Sequence, residues 1–203
     1  MVYNFLRILV GLFLRIFNRV ETAGLGQIPK KGAAILVSNH RSNWDPVFIG
    51  GLVKRPVYYL AKAELFKNPF FSSILTRLLH AIPLKRGALD REALKRVSDL
   101  LKQGELILIF PEGRRSLTGE IAPFRPGAVM FAAKTNALLI PAAVSNTRNL
   151  FPSGFRRRVR LSVGTPVTLA EYSGKKLSLK DEDQISSRLR DDVAALLDRG
   201  GSG

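Results

Sequence analysis

Cysteine is absent from this 203-residue chain, and histidine occurs only twice, as His40 and His80. Without cysteine the chain forms neither a disulfide bond nor a thiolate metal site, and it offers no thiol for a covalent thioester intermediate. A zinc site would need carboxylate ligands beside the two histidines. A Gly-x-Ser-x-Gly motif is also missing, so the sequence gives no support to a serine hydrolase.

Acidic residues are scarce. The chain has 16 aspartates and glutamates against 32 lysines and arginines, for a net charge of +16. This excess predicts an anionic partner: nucleic acid, a phospholipid surface or a phosphate-bearing substrate, among which charge alone does not choose. Hydrophobic residues make up 46% of the chain, which argues against disorder. The length is typical of one domain with a sizeable core.

The N-terminal residues 2–17 are mostly apolar, but the polar and small positions recur at intervals of three or four. This spacing lines them up on one narrow helical stripe: Asn4, Arg7, Gly11, Arg15 and Asn18. A transmembrane helix would carry at least one of the two arginines into hydrocarbon, whereas an interfacial helix keeps both at headgroup level. The alternative is an ordinary amphipathic helix packed on its own domain. The wide apolar face favours an N-terminal amphipathic membrane helix over residues 1–21.

A short apolar run, residues 33–37, leads into a polar stretch that contains His40 and Asp45. The run predicts a buried strand, which puts His40 at a strand's carboxyl end, where ligands bind in open α/β sheets. Histidine suits proton abstraction near neutral pH. A turn after the strand can fold Asp45 back onto the imidazole and fix its tautomer. The alternative is a histidine in a polar turn, with Asp45 capping the next helix.

Two further apolar segments end in charged residues. Residues 81–84 continue into Lys85 and Arg86, and the buried strand predicted over 106–110 continues into a polar loop. That loop contains Glu112, Gly113, Arg114, Arg115 and Ser116. Arginine offers a planar fork of donors to a phosphate or carboxylate, and glycine permits a tight turn or close approach of a ligand. In both places a charged surface loop is the alternative.

The remaining pattern alternates helices and strands. Helices are predicted over 46–53, 69–80, 90–103, 124–136 and from Ser178 onward, and strands over 57–60, 138–144 and 158–163. This order predicts one α/β domain over residues 22–199, with a mostly parallel or mixed sheet flanked by helices. The glycine-rich residues 200–203 are predicted to form a flexible tail.

Residues 151–160 combine four arginines with two phenylalanines. In a nucleic-acid-binding protein they would form a basic patch with stacking aromatics. On a membrane enzyme they would rest against anionic headgroups. A solvated hairpin edge is the third possibility.

Four blocks of the sequence, taken together and in order, resemble a known family. They are Asn39-His40 with Asp45, Ile82-Pro83-Leu84-Lys85-Arg86, Phe110-Pro111-Glu112-Gly113-Arg114-Arg115-Ser116 and Leu139-Ile140-Pro141-Ala142-Ala143. They resemble the motif blocks of the glycerophospholipid acyltransferases, and within that family the bacterial 1-acyl-sn-glycerol-3-phosphate acyltransferases. The likeness covers roughly residues 22–168.

The resemblance implies transfer of a fatty acyl group from a thioester to the free sn-2 hydroxyl of 1-acyl-glycerol-3-phosphate, which gives phosphatidic acid. His40 matches the family's general base and Asp45 the carboxylate that orients it. Arg86 matches an arginine that helps bind the acceptor's phosphate. The residues that match the third block, also tied to acceptor binding, are Glu112, Gly113, Arg115 and Ser116. The fourth block is associated with packing or acyl placement.

The resemblance also implies the partners and the location. The expected co-substrate is acyl-CoA or the acidic acyl carrier protein, with no cofactor and no metal ion. The expected partners are a lysophospholipid and an anionic membrane surface rather than nucleic acid, at the cytoplasmic face of the cell inner membrane, with the protein peripheral or monotopic.

Arg114 departs from the family pattern, which more often has threonine there. The extra cation either strengthens phosphate binding or indicates another lyso-lipid acceptor, such as a lyso-aminolipid. A non-catalytic basic protein that binds membranes or nucleic acid would also explain the charge, but it leaves the pairing of His40 with Asp45 unexplained.

Overall fold

The computed structural model describes residues 2–85, 90–150, 155–172 and 177–201. Over these residues, seven strands form one mixed sheet with the order β1-β7-β6-β2-β5-β3-β4. The strands are Arg19–Ala23 (β1), Ala34–Ser38 (β2), Val57–Lys62 (β3), Ala81–Leu84 (β4), Leu106–Ile109 (β5), Leu138–Ser145 (β6) and Arg158–Val163 (β7). Strands β2 to β6 run parallel to one another, whereas β7 is antiparallel to β6 and parallel to β1. The predicted α/β fold with a mixed sheet is confirmed.

Helices cover both faces of this sheet. They are Val2–Phe17 (α1), Asp45–Leu52 (α2), Pro69–Ser73 (α3), Arg91–Lys102 (α4), Gly127–Thr135 (α5) and Leu179–Gly201 (α6). Side chains alternate along a strand, so Leu36 of β2 packs on the face of α1 and α2, while Ile35 and Val37 pack on the face of α4, α5 and α6. Because both faces are covered, the central strand β2 is fully buried and is apolar as far as Val37, with only the last residue, Ser38, polar.

The register of the parallel strands brings the carboxyl ends of β2 and β5 together, beside the middle of β6. Val37 of β2 lies opposite Ile109 of β5 on one side and Pro141 of β6 on the other. The loops that follow β2 and β5 therefore leave the sheet at the same edge. This edge is where His40 and the loop from Glu112 onward are found.

Three predicted boundaries differ from the structure. Strand β1 begins at Arg19, so the predicted boundary between residues 21 and 22 falls inside a sheet strand; its alternation of charged and small residues is a weak strand signal. The helix predicted over 69–80 is α3 followed by a π-helical turn, Ile74–Leu78. Helix α6 continues to Gly201 and so includes two of the four residues assigned to a flexible tail.

Helix α1 packs on α2 through two glycines. A Cβ atom added at Gly11 would lie 2.8 Å from the carbonyl oxygen of Gly51, and one added at Gly51 would lie 2.8 Å from Val10 Cγ1. Within the stripe of small and polar residues, Gly11 and Asn18 are buried and face the protein, whereas Asn4 and Arg15 are exposed. Arg7 is half-buried and lines a small cavity between the two helices rather than standing at the surface with Arg15.

The N-terminal end of α1 is held by a stack of three rings. His80 lies between Tyr3 and Tyr58, with ring centroids 4.4 and 4.5 Å away and nearly parallel planes. The Tyr3 hydroxyl also accepts a hydrogen bond from the Val57 amide. Burial lowers the pKa of His80 below its usual value, in keeping with a packing role for this residue.

The apolar side of α1 points away from the sheet. Six of its large side chains are exposed: Phe5, Ile8, Leu9, Leu12, Phe13 and Ile16. Within the described ranges, no helix has both the length and the apolar character that crossing a membrane would require.

Candidate active site

The pairing of His40 with Asp45 is present in the structure. Strand β2 ends at Ser38, and the turn that follows brings Asp45, the first residue of α2, back to the imidazole. Asp45 Oδ2 lies 2.8 Å from His40 Nδ1. With the Nδ1 proton donated to this carboxylate, the lone pair of the neutral ring is on Nε2. The His40 side chain is 17% exposed, whereas Asp45 is fully buried.

The turn itself holds the Asp45 carboxylate. The backbone amides of Arg41 and Ser42 donate to Asp45 Oδ2 at 2.7 and 2.8 Å, so this one oxygen accepts three hydrogen bonds. Hydrogen bonds from N–H groups stabilise a buried negative charge. Asp45 therefore folds the turn around itself as well as orienting His40. The alternative in which Asp45 only caps α2 does not account for this geometry.

Glu112 joins the turn after β2 to the loop after β5. Its Oε1 accepts from the backbone amide of His40 at 2.8 Å, and its Oε2 accepts from the amide of Ala122 at 3.1 Å. The side chain is buried, with 5% exposure. Both carboxylate oxygens are thus engaged by the protein's own backbone. The family resemblance implies acceptor binding for Glu112; in the structure its carboxylate contacts the backbone of the turn that carries His40.

Further contacts fix the imidazole and its backbone. The rings of His40 and Phe110 are stacked with centroids 4.1 Å apart. The Ser116 amide donates to the carbonyl oxygen of His40 at 2.8 Å. Next to His40, the buried Asn39 side chain exchanges two hydrogen bonds with the backbone of Val144 in β6, at 2.8 and 3.0 Å. Asn39 is therefore tied to the neighbouring strand β6, and the backbone of His40 is tied to the loop after β5.

Arg148 is a site residue that the sequence did not reveal. It follows β6, and its guanidinium donates to three backbone carbonyls, those of Arg41, Ser116 and Leu117. Arg41 in turn donates to the carbonyl of Gly119. These arginines join the turn that carries His40 to the loop that carries Ser116. No local pattern signals Arg148, because its partners are far away in sequence.

The loop after β5 presents its cations at the edge of the sheet. Arg114 and Arg115 are exposed, and Ser116 is half-buried, with its hydroxyl accepting from the Gly119 amide at 3.0 Å. Gly113 has a positive φ of 69°, and a Cβ there would lie 3.3 Å from the Arg125 guanidinium. Arg125 therefore lies against this loop, a contact that the sequence also did not reveal. Arg86, predicted to bind phosphate, lies outside the described residues.

An apolar groove of about 450 Å³ lies between α1 and the turn of the site. Its lining includes Leu12 and Phe13 of α1, Trp44 immediately before Asp45, and Val47 of α2. The fourth sequence block lies within β6, where Leu139 and the residues after it are buried. That block therefore contributes to packing of the core.

A strand-end histidine oriented by a buried carboxylate, on an α/β sheet, is an arrangement suited to general-base catalysis. The model of the family described as Acyltransferase matches residues 19–145, and the chain belongs to this family. The protein is therefore an acyltransferase, and the resemblance stated from the four blocks is confirmed.

Curated relatives and a solved structure agree with this assignment. The chain is 30% identical over 175 residues to a 1-acyl-sn-glycerol-3-phosphate acyltransferase of Bacillus subtilis, covering 84% of this chain and 85% of the relative. A Pseudomonas aeruginosa protein of the same name is 36% identical over 129 residues, covering 62% of this chain and 49% of the relative. The crystal structure of the 1-acyl-sn-glycerophosphate acyltransferase PlsC from Thermotoga maritima superposes with a TM-score of 0.77 at 27% identity, covering 97% of this chain and 79% of that one.

Proposed function

We propose that this enzyme transfers a fatty acyl group from acyl-CoA or acyl carrier protein to the sn-2 hydroxyl of 1-acyl-glycerol-3-phosphate, giving phosphatidic acid. The main support for this proposal is the 2.8 Å contact between His40 Nδ1 and the buried carboxylate of Asp45. The acceptor is inferred from the names of the relatives in Bacillus subtilis and Pseudomonas aeruginosa. The reaction as written uses the thioester as co-substrate and needs no cofactor or metal ion.

In the proposed mechanism, His40 Nε2 takes the proton of the acceptor hydroxyl while the hydroxyl oxygen attacks the thioester carbonyl carbon. A carbon–oxygen bond forms, and collapse of the tetrahedral intermediate breaks the carbon–sulfur bond. The departing thiolate then receives the proton from the imidazolium, which restores neutral His40. Asp45 stabilises the imidazolium while it exists. Because a thiolate is a good leaving group, direct transfer needs no nucleophile on the protein.

We assign binding of the acceptor's phosphate to the loop after β5. Arg115 is exposed beside the site, and the hydroxyl of Ser116 lies in the same loop. Gly113 allows the backbone to approach a ligand closely. Arg86 is assigned to the same phosphate by the family resemblance. Glu112 is assigned a positioning role, because both of its carboxylate oxygens are already hydrogen-bonded to backbone amides.

The apolar groove beside Trp44 fits the acyl chains of the substrates. It opens between α1 and the turn that carries His40, so a chain lying in it would have its carbonyl or hydroxyl end near the imidazole. Burial of an acyl chain in such a groove is favourable by about 0.8 kcal/mol per methylene.

We further propose that α1 lies in the membrane interface and that the enzyme is a peripheral or monotopic protein of the cytoplasmic face of the inner membrane. The six exposed apolar side chains of α1 form a surface that no other described part of the protein covers, and burying such a surface in the membrane interface is favourable. Phe155, which is 64% exposed, contacts Phe17 and is followed by the exposed Arg156 and Arg157. Cations at this end of α1 would contact anionic headgroups.

Arg114 favours a second candidate acceptor, a lyso-lipid with a headgroup other than phosphate. It is exposed in the loop to which we assign the phosphate, at a position where the family more often has threonine. The headgroup of such a lyso-lipid, for example a lyso-aminolipid, would contact the Arg114 guanidinium. The same assay with a lyso-aminolipid as acceptor separates the two substrates.

The test is an acyl-transfer assay with lysophosphatidate in detergent micelles and a labelled palmitoyl thioester of either coenzyme A or acyl carrier protein. We expect His40→Ala to lower kcat by about 10²-fold or more, because the general base is lost. We expect Asp45→Asn to cause a comparable loss, because the amide favours the wrong tautomer of His40.

The other histidine provides the matched control. His80→Asn keeps a residue that tolerates the left-handed backbone at this position (φ 54°), and it should retain most of the activity. Thermal unfolding measured by circular dichroism checks that each variant is folded. Wild-type activity in a folded His40→Ala variant would overturn the mechanism, and absence of product with all donors and acceptors would overturn the proposed reaction.

A further inference from the structure

A second groove lies on the face of the sheet opposite to α1. It runs between α4 and α5 and has a volume of about 640 Å³. Its apolar residues are Leu94 of α4 with Met130 and Phe131 of α5, and Met130 is 53% exposed. Methionine is common on surfaces that accept the apolar side of a partner helix. A groove between two helices with such a floor has the shape that accepts a third helix.

The rim of the groove is basic. Arg91, Lys95 and Lys102 follow one another along α4 at helical spacing, and Lys134 stands across from them on α5. All four of these side chains are exposed, and one carboxylate, that of Asp99, lies among them. Arg91 and Lys95 are four residues apart, and like charges at this spacing destabilise a helix. The like-charged pair of Arg91 and Lys95 therefore does not stabilise α4, whereas Asp99 is at a favourable spacing from Lys95 and Lys102.

One end of the groove lies at the edge of the sheet that carries the active site. The side chain of Asp90 caps α4 and also accepts from the Lys85 amide, immediately after β4. Helix α5 begins just after Arg125, whose amide donates to the carbonyl of Pro111 in the loop after β5. Both helices thus start at the edge of the sheet that carries His40, α5 beside the loop after β5 and α4 at the end of β4. A protein bound in the groove would have one end near the site and would leave the α1 surface uncovered.

We propose that this groove docks an acidic amphipathic helix of the protein that carries the acyl thioester, so that acyl carrier protein is the donor recognised by this surface. The inference rests on the proposed acyl transfer. Apolar side chains of the partner helix would cover Leu94 and Met130, and its carboxylates would face Lys95, Lys102 and Lys134. Such complementarity accelerates association and fixes orientation. Coenzyme A has no helix, so its thioesters would not use the groove.

The experiment compares two neighbouring substitutions on α4. Lys95→Glu reverses a charge on the rim of the groove, whereas Arg96→Glu makes the same change of charge at an exposed position that does not line it. We expect Lys95→Glu to raise KM for palmitoyl-acyl carrier protein by about 10-fold and to leave KM for palmitoyl-CoA unchanged. Arg96→Glu should change neither value appreciably. Met130→Asp, which breaks the apolar floor, should repeat the effect of Lys95→Glu.

A binding measurement distinguishes the docking proposal from the proposed acyl transfer. Calorimetric titration with unacylated holo-acyl carrier protein should give an affinity that falls with added salt and is lost in Lys95→Glu. Three results would overturn the docking proposal alone. The first is that Lys95→Glu and Arg96→Glu have equal effects, and the second is that Lys95→Glu affects both donors equally. The third is activity with palmitoyl-CoA without any binding of the carrier protein. Binding that depends on Lys95, with no acyl transfer from any donor, would overturn the proposed function and leave the docking surface in place.

Discussion

At the scale of single residues, Glu112 is the side chain whose role changes most once its contacts are known. We predict that Glu112→Gln lowers kcat by about 10-fold while KM for lysophosphatidate stays nearly constant. The amide can accept only one of the two backbone N–H bonds and turns its NH₂ group toward the other, which leaves the His40 turn less well fixed. Steady-state kinetics measure the split between kcat and KM.

Glu120→Gln is the control for this prediction, because Glu120 is exposed in the same loop. It should behave like the wild type. A Glu112→Gln variant with normal kcat and a raised KM for the acceptor would instead place the carboxylate in contact with the substrate.

Arg148 provides a second test at this scale. We predict that Arg148→Lys lowers kcat by about 10-fold, because an ammonium group cannot reproduce a planar fork that reaches three carbonyls. Arg188→Lys is the control: it makes the same chemical change on α6, away from the site, and should leave kcat unchanged. Kinetics and thermal unfolding are measured together. Unaltered kcat in Arg148→Lys would show that the two loops hold their positions without this side chain.

At the scale of elements, the contact between α1 and α2 depends on the absence of side chains. We predict that Gly11→Ala destabilises the protein by about 1–3 kcal/mol, since its Cβ would lie 2.8 Å from the rigid backbone carbonyl of Gly51. Urea unfolding followed by circular dichroism measures the loss. Because α2 begins at Asp45, displacement of this helix should also lower kcat.

Gly50→Ala is the matched control on α2, because a Cβ at Gly50 has no atom within 4 Å. It should be neutral or stabilise the protein by up to about 1 kcal/mol, since alanine has the higher helix propensity. Equal stability changes in the two variants would mean that α1 does not pack closely on α2.

At the scale of the whole molecule, the sheet separates two surfaces of different character. One face carries α1 with its exposed apolar side chains, and the other carries the basic groove between α4 and α5. A net charge of +16 would favour the approach of anionic partners, whether anionic lipid or an acidic protein. Bound by its α1 face, the enzyme would present the other face to the aqueous phase.

We predict that Leu12→Glu lowers the fraction of protein bound to phosphatidylglycerol-containing vesicles by about 10-fold or more, because burying a leucine contributes about 1.5–3 kcal/mol and a carboxylate is repelled. Vesicle co-sedimentation measures the bound fraction. Leu179→Glu is the control, since Leu179 is exposed at the start of α6, on the other face of the sheet. Equal loss in both variants would contradict an interfacial role of α1.

Much of the fold could be predicted because the signals are local. The apolar run before His40, the helical pattern over 90–103, the apolar strand β5 and the alternating pattern of β7 each predict their own element. Strand β1 was not predicted, because an edge strand with alternating charges has no distinctive pattern. The side of α1 that faces the protein was also not predicted, and it is known only from the close approach of Gly11 to Gly51 in the structure.

The amino-acid sequence by itself determined the strand-end position of His40, its spacing from Asp45 and the order of the four blocks, because these depend on neighbouring residues. Only the tertiary structure decided that Glu112 holds the His40 amide and that Arg148 joins two loops. Glu112 is 72 residues from His40, and Arg148 is 107 residues from Arg41. Contacts at such separations form because parallel strands bring distant loops to one edge of a sheet, a result of packing that no local pattern encodes.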